Sequence, residues 1–293
     1  MNSSALKGTP LPSTTAADRA NKAHWKIIHR PNYGRWTVDA LVVLFVVGLV
    51  WASLTNPNFQ WDVVGNYLFH PSILIGLWVT IRLTIITMVL GVVIGIFFAM
   101  MMLSHDRFLS GFAAAYIWLF RGTPLLVQLI FWFNISALYP QINIGIPGGP
   151  YLTSFSGNAI TPFMAAVLGL ALHEGAYMAE IVRGGVLAVG RGQSQAAIAL
   201  GMTRLQAFGR ITLPQALRII VPATGNQVIL MLKTTSLVSV IALPELLYSA
   251  QNIYARTFEV IPLLIVASLW YLFICSILSV FQYFLERKLG KGF

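Results

Sequence analysis

An all-α integral membrane protein with six spanning helices is the architecture this sequence predicts, and three observations predict it. Of 293 residues, 57% are hydrophobic and 10% charged, where a soluble domain carries about a quarter charged residues. Mean hydropathy is +0.75. The apolar residues gather into six long runs, and a helix needs about 20 such residues to cross the hydrocarbon. The bases collect on one side of those runs, so the net charge of +10 reads as membrane topology rather than nucleic-acid binding. A single cysteine, Cys275, excludes a disulfide-stapled secreted scaffold.

The chain opens with a polar tail over 1–36, too long for the charged region of a cleaved signal peptide. It holds Lys7, Arg19, Lys22, Lys26, Arg30 and Arg35 against Asp18, which predicts that it stays in the cytoplasm. The six runs cover roughly 38–54, 73–103, 112–138, 161–183, 219–241 and 261–284. The second and third exceed one crossing, which predicts tilt, a kink, or a start on the membrane surface. The loop at 55–71 has Asp62 and no base, and 139–160 has no charge, so both are expected outside. The last outer loop sets Glu245 and Glu259 against Arg256. Arg183, Arg191, Arg204, Arg210 and Arg218 follow the fourth run without an acid between them, and the tail at 286–293 adds Arg287, Lys288 and Lys291. Both termini are therefore expected inside; the short turn at Asp106 and Arg107 is neutral.

The inner loop 184–218 is long for a connector between spans. It holds a helix-compatible stretch, Gln195 to Phe208, after Gly184, Gly185, Gly190 and Gly192 and before Pro214. A loop with its own helix implies a partner.

Ionisable residues at membrane depth are expensive and point to function. Arg82, Arg121, Glu174, Glu180 and Lys233 qualify. At ~1.5 Å per residue, Glu174 and Lys233 each come out roughly 20 Å from their entry points. His173, Tyr177, Glu180 and Gly184 share one helical face, with Glu174 about 100° round from His173. Two readings stay open: an ion pair of Glu174 or Glu180 with Lys233 that fastens two helices, or a site for a small polar solute with an ammonium and a carboxylate. Arg121 precedes Gly122-Thr123-Pro124, where the proline frees backbone carbonyls. It is expected to satisfy those carbonyls, to snorkel to the inner face, or to meet a solute. Gly91-Val92-Val93-Ile94-Gly95 fits close helix packing. His173 has no second His or Cys at ligand spacing, so no metal site is expected. The chain contains no P-loop, G-x-S-x-G, HExxH or CxxC, so no catalytic residue is assigned.

Several segments together resemble the permease subunits of bacterial ABC importers of the polar amino acid uptake family. They are Arg121-Gly122-Thr123-Pro124-Leu125-Leu126-Val127-Gln128-Leu129, Glu174-Gly175-Ala176-Tyr177-Met178-Ala179-Glu180-Ile181-Val182-Arg183, Gln195-Ala196-Ala197 with Gly201 and Ile211-Thr212-Leu213-Pro214, and Lys233-Thr234-Thr235-Ser236-Leu237. The resemblance spans roughly 72–285. It implies a five-helix importer core plus an extra N-terminal helix within a permease domain over 37–285. Residues 184–218 become a coupling loop that docks on a cytoplasmic ATPase through Gln195, Ala196, Ala197 and Gly201, and Pro214 ends that lever. The family commonly has Glu where this chain has Gln195, which removes charge assistance from one docking contact.

The resemblance further implies a bacterial inner membrane location surrounded by lipid. Its partners are an ATPase dimer carrying ATP and Mg, a second permease chain (identical or sibling), and an extracytoplasmic amino acid binding protein. No cofactor is expected in this chain and no nucleic acid. The expected solute is a polar amino acid, met by Glu174, Tyr177, Glu180, Arg82, Gln128 and Lys233. Two acids at membrane depth favour a basic one; Arg82, Gln128 and Lys233 suit glutamine or glutamate. The alternatives are a proton-coupled secondary transporter, with Glu174 and Glu180 as relay, and a non-transporting membrane scaffold.

Overall fold

A computed structural model describes residues 33–145, 151–156 and 160–289. The basic residues of the N-terminal tail up to Arg30, and Lys291, lie outside the described residues. The chain separates into two units, divided between Asn56 and Pro57. The first holds one helix, α1 (Tyr33–Thr55). Its residues from Trp36 form a span of mean hydropathy 2.2 with none of that window buried, as an apolar helix surrounded by lipid requires.

The second unit begins with a short helix, α2 (Trp61–Leu68), followed by α3 (Pro71–Met102), which Pro71 starts in its first turn. Asp106 accepts from Phe108 and Leu109 amides and so starts α4 (Arg107–Gly122). At Thr123-Pro124 the chain breaks and turns by 99° into α5 (Leu125–Phe133). The kink expected in the third run is therefore present, whereas the second run is one unbroken helix. The outer segment expected as an uncharged loop contains an antiparallel hairpin, β1 (Gln141–Gly145) with β2 (Tyr151–Ser156), irregular at Ile144/Gly145. It is the exception to an otherwise helical fold.

Helix α6 (Pro162–Ala188) is capped by Thr161, whose hydroxyl accepts from Met164 N. After the inner loop come α7 (Arg191–Ala199), a turn at Arg204–Ala207, a π-helical turn at Phe208–Thr212, and α8 (Leu213–Thr234), extended by a 3₁₀ segment to Ile241. Pro214 opens α8 instead of ending the preceding lever, because a first-turn proline forfeits no helical hydrogen bond. A 45° bend leads into α9 (Leu246–Thr257), and α10 (Val260–Leu289) closes the chain. Among the described residues four helices are long and apolar enough to span singly, and up to six spans result if each bent pair is one.

Helix directions follow from matched neighbours. A Cβ on Gly91 of α3 would lie 2.7 Å from Glu174 Cγ on α6, and one on Gly95 would lie 2.9 Å from Ala179 N. The register advances together, so α3 and α6 run parallel and the chain crosses once between them through α4 and α5. Gly185 meets Ile220 while Glu174 faces Gln227, so α8 runs antiparallel to α6. Gln282 of α10 donates to Pro222 O at 2.8 Å, whereas Lys233 sits by Ser268 and Tyr271, so α10 reverses again. Within this unit the turn at 103–106, the loop at 189–212 and the end of α10 therefore share one membrane side. The hairpin and α9 lie on the other.

The core follows these contacts. Leu83, Met88, Leu129, Ala165, Leu170 and Met231 form one apolar cluster among α3, α5, α6 and α8, and Ile73, Leu77, Leu246, Leu263 and Val266 form another beneath α9. Between α9 and that second cluster sits Glu245, which the sequence assigned to an outer loop. It is fully buried. Its carboxylate accepts from the amides of Leu247 (2.9 Å) and Tyr248 (2.7 Å) and from the Tyr271 hydroxyl (2.8 Å). Thr80 Oγ1, 3.4 Å from the same carboxylate, accepts from Leu246 N. One acid thus fastens the bend before α9 to α3 and α10. A buried donor left unpaired costs about 1–3 kcal/mol, so Glu245→Leu is expected to lower stability by at least about 3 kcal/mol, and Tyr271→Phe by about 1 kcal/mol. Thermal unfolding of the purified protein in detergent checks this; equal melting of Glu245→Leu and wild type would contradict it.

Candidate functional site

Helix α6 carries most of the expected site residues, and its neighbours sort them onto two faces. One face is a seam. Glu174 is 4% exposed, held over the bare backbone of Gly91, with Gln227 of α8 hydrogen-bonded to its carboxylate. Its Oε1 has no hydrogen-bond partner. On the same helix Gly175 admits α4: a Cβ there would lie 2.8 Å from Tyr116 Oη, and that hydroxyl donates to Leu172 O at 2.6 Å.

The other face is polar and partly open. The His173 and Tyr177 rings are in tilted contact, 5.0 Å between centroids and 45° between planes, as their spacing on one face predicts. Arg121 of α4 lies over the Tyr177 ring, with Cζ 5.0 Å from its centroid. One turn below, Glu180 pairs with Arg183 at 2.8 Å. That is the single ion pair among the described residues. The helix-fastening pair of Glu174 or Glu180 with Lys233 is therefore not formed. Gln227, which meets Glu174, is six residues before Lys233, so the two side chains point about 120° apart on α8.

The kink beside this face is closed by Gln128. Its Nε2 lies 2.9 Å from Phe120 O, 3.1 Å from Thr123 O and 2.7 Å from Thr123 Oγ1, with His173 Nδ1 at 3.4 Å. The carbonyls freed by Pro124 are thus satisfied by Gln128 and not by Arg121. Gln128 was expected to meet solute; the structure buries it and commits its amide donor to the backbone, leaving Oε1 unpartnered.

Arg82 and Lys233 stand apart within this chain. Arg82 lies over Phe163 near the start of α6, 4.7 Å from the ring centroid. Lys233 is exposed and lines a cavity of about 380 Å³ with Ser236, Ser268, Tyr271 and Cys275. No group of three or more His, Cys, Asp or Glu able to hold a metal occurs among the described residues.

The inner loop differs from the single helix expected over 195–208. It breaks after α7, where Gly201 has φ +87°. Gly201 N donates to Ile198 O (2.9 Å) and Met202 N to Ala197 O (3.1 Å), the paired bonds of a helix end that needs a left-handed residue. Thr203 and Gln206 then cap the next turn reciprocally. Of the expected docking residues, Gln195, Ala196 and Gly201 are exposed. Ala197 is buried, 5% exposed, packed inside the loop's own fold. The most prominent apolar side chains are ones the sequence reading passed over, Leu200 and Leu205, 85% and 81% exposed. They flank the break, and two leucines beside a helix-ending glycine were the available signal.

Comparison with known proteins places this geometry in a family. Residues 91–291 match the family described as the binding-protein-dependent transport system inner membrane component. The arginine transport system permease protein of Corynebacterium glutamicum is 45% identical over 262 residues, covering 88% of this chain and 81% of that protein. The L-cystine transport system permease protein of Bacillus subtilis is 36% identical over 232 residues, covering 79% and 92%. Among solved structures, a chain of an amino acid ABC transporter crystallised with histidines superposes with a TM-score of 0.65 at 35% identity, over 75% of this chain and 95% of that one.

The glycine at the loop break yields a test that separates backbone from bulk. Nothing lies within 4 Å of a Cβ built on Gly201, so an alanine meets no atom of this chain but strains a left-handed backbone by about 1 kcal/mol. Asparagine tolerates that conformation. Amide exchange at residues 201 and 202 is expected to rise about fivefold in Gly201→Ala and to stay near wild type in Gly201→Asn. The reverse order would contradict the assignment.

Proposed function

Because this chain belongs to the binding-protein-dependent inner membrane components and is the permease subunit of an ABC amino acid importer, we propose that it moves basic amino acids into the cytoplasm. The observation that carries the choice of solute is the 45% identity to an arginine permease across most of both chains. The polar face of α6 supports it: its ring and its acid, Tyr177 and Glu180, already hold the guanidinium groups of Arg121 and Arg183, the same contacts that a cationic solute would compete for.

In this reading the chain itself hydrolyses nothing. ATP and Mg act on a separate dimeric ATPase, and the loop at 189–212 is the lever that meets it. Gln195, Ala196, Gly201, Leu200 and Leu205 lie on its exposed surface; two apolar side chains either side of the helix break suit a groove between domains of a partner. The arginines around the loop support a cytoplasmic side for it, and hence for the C-terminus. The hairpin and α9 then face an extracytoplasmic binding protein. Each ATPase of a two-fold dimer needs one lever and this chain supplies one, so two permease chains make up the complex.

Transport follows as alternating access. ATP closes the ATPases, the levers approach one another, and α6 and α8 shift so that the polar face changes the side it opens to. The π-helical turn at Phe208–Thr212, directly between lever and α8, is a place where helical register changes at low cost.

Solute-stimulated ATP hydrolysis by the complex reconstituted with its binding protein tests the reading. Arginine, lysine and histidine are expected to raise the rate most, with glutamine and glutamate well below. Stimulation by glutamine or glutamate alone would overturn the choice of solute.

A further inference from the structure

The side of the molecule that carries α9 has two hollows that the transport reading leaves unused, and one corner of the chain separates them. That corner is Tyr67-Leu68-Phe69-His70, between α2 and α3. Tyr67 and His70 line a polar cavity of about 560 Å³ against α9. Leu68 and Phe69 line an apolar groove of about 520 Å³ against α10.

The cavity is cationic and rich in donors. From α9 it receives Ser249, Asn252 and Arg256, whose three- and four-residue spacing puts them on one helical face. No acid lines it, and Arg256 has no carboxylate partner among the described residues. His70 caps α3, and its Nδ1 accepts from Ser72 N at 3.3 Å. That bond leaves Nε2 to carry the ring proton as a donor. A guanidinium, an imidazole N–H, an amide and a hydroxyl together suit a phosphate that bears a polyol. Without an acid, nothing in the cavity compensates the ammonium of a zwitterionic headgroup.

The groove has the opposite chemistry. Trp270 commits its indole N–H to Leu68 O at 2.8 Å. Its ring meets Phe69 and Phe273 edge-on, at 5.9 and 5.7 Å between centroids. Apart from Ser276, the remaining lining is aliphatic. Trp270 lies ten residues after Val260, the first residue of the 30-residue α10, or roughly 15 Å along the helix. A helix of about 45 Å exceeds the ~30 Å hydrocarbon core, so the groove falls at the depth of acyl chains just beneath the headgroups on the α9 side.

We propose that an anionic phospholipid occupies both hollows: its phosphate meets Arg256 and the His70 Nε2–H, and one acyl chain crosses the corner into the groove. Charge complementarity selects the head, and the apolar lining selects the chain. A soluble phosphate or an acidic side chain of a docking protein would use the cavity and leave the groove empty. The site goes beyond transport, since it makes α9 and the α2–α3 corner a lipid-binding edge of the permease.

Photo-crosslinking tests this on the full permease–ATPase complex in phosphatidylcholine vesicles. The probes are trace phosphatidylglycerol and trace phosphatidylcholine, each with a diazirine in one acyl chain, and crosslinked peptides are mapped by mass spectrometry. Helix α1, unburied along its span, reports general lipid contact. The ratio of groove to α1 labelling is expected to be about fivefold higher with the phosphatidylglycerol probe. In Arg256→Gln that excess is expected to fall to near one. Arg256 is exposed and holds no acid, so the substitution spares the fold. Equal labelling by both probes in wild type overturns the proposal, as does an excess unchanged in Arg256→Gln. Displacement of the groove labelling by glycerol 1-phosphate as effectively as by unlabelled phosphatidylglycerol overturns it too, because the chain then plays no part. If Arg256→Gln weakens association with the binding protein and leaves lipid labelling unchanged, the cavity belongs to that partner and the lipid site is refuted.

Discussion

Close contact between α3 and α6 is the constraint on which the rest of this unit depends. Gly91 and Gly95 leave α3 without side chains where Glu174 and Met178 lie, so the two backbones approach further than larger residues permit. Lipid supplies no hydrophobic drive for helices to associate, which leaves packing and hydrogen bonds to hold them. Once α6 is seated on this seam its rotation is fixed. Glu174 turns inward, and His173, Tyr177 and Glu180 are delivered to the opposite, polar side. Tyr116 and Gly175 then bring α4 against α6, and that places the Pro124 kink, with Arg121 and Gln128, beside the same face.

Polar groups inside the unit are handled in three ways. Glu245 is saturated by two amides and a tyrosine hydroxyl, and acts as a fastener on the outer side. Gln128 is spent on carbonyls that a proline released. Arg121 and Lys233 are left without an acidic partner among the described residues, and Glu180 holds Arg183. Satisfied groups give rigidity, since breaking them strands a buried donor or acceptor. On the proposed function, unsatisfied ones are where a mobile solute would gain free energy by arriving.

Much of the membrane architecture was legible because it rests on composition. The runs that became α1, α3, α6 and α10, the break at Pro124 and the shared face of His173, Tyr177 and Glu180 all follow from length, proline chemistry and the 3.6-residue period. What escaped depended on tertiary partners. Glu245 looked like a loop charge, although an acid directly before a helix is also a cap, and nothing local said that Thr80 and Tyr271 would enclose it. Gln128 looked free to meet solute because the carbonyls it serves lie up to eight residues back across a bend. Gly201 was read only as a docking residue; its positive φ adds a backbone need that the sequence reading did not include. Pro214 fits the end of one element and the start of the next equally well in sequence, and the π turn before it decides for the start. Glu174 and Glu180 looked equivalent, and only the side occupied by α3 separates them.

The central claim is this division of α6 into a packing seam and a polar face, the latter proposed to meet solute. Melting temperature and L-arginine affinity, measured together on Gly91→Leu and Tyr177→Leu complexes, test it most directly. Gly91→Leu overpacks the seam and is expected to lose about 1–3 kcal/mol of stability, seen as a clear fall in melting temperature. Tyr177→Leu is expected to melt with wild type while its affinity falls severalfold or more. If Tyr177→Leu instead melts as early as Gly91→Leu and retains its affinity, the two faces do not divide the work and the account is wrong.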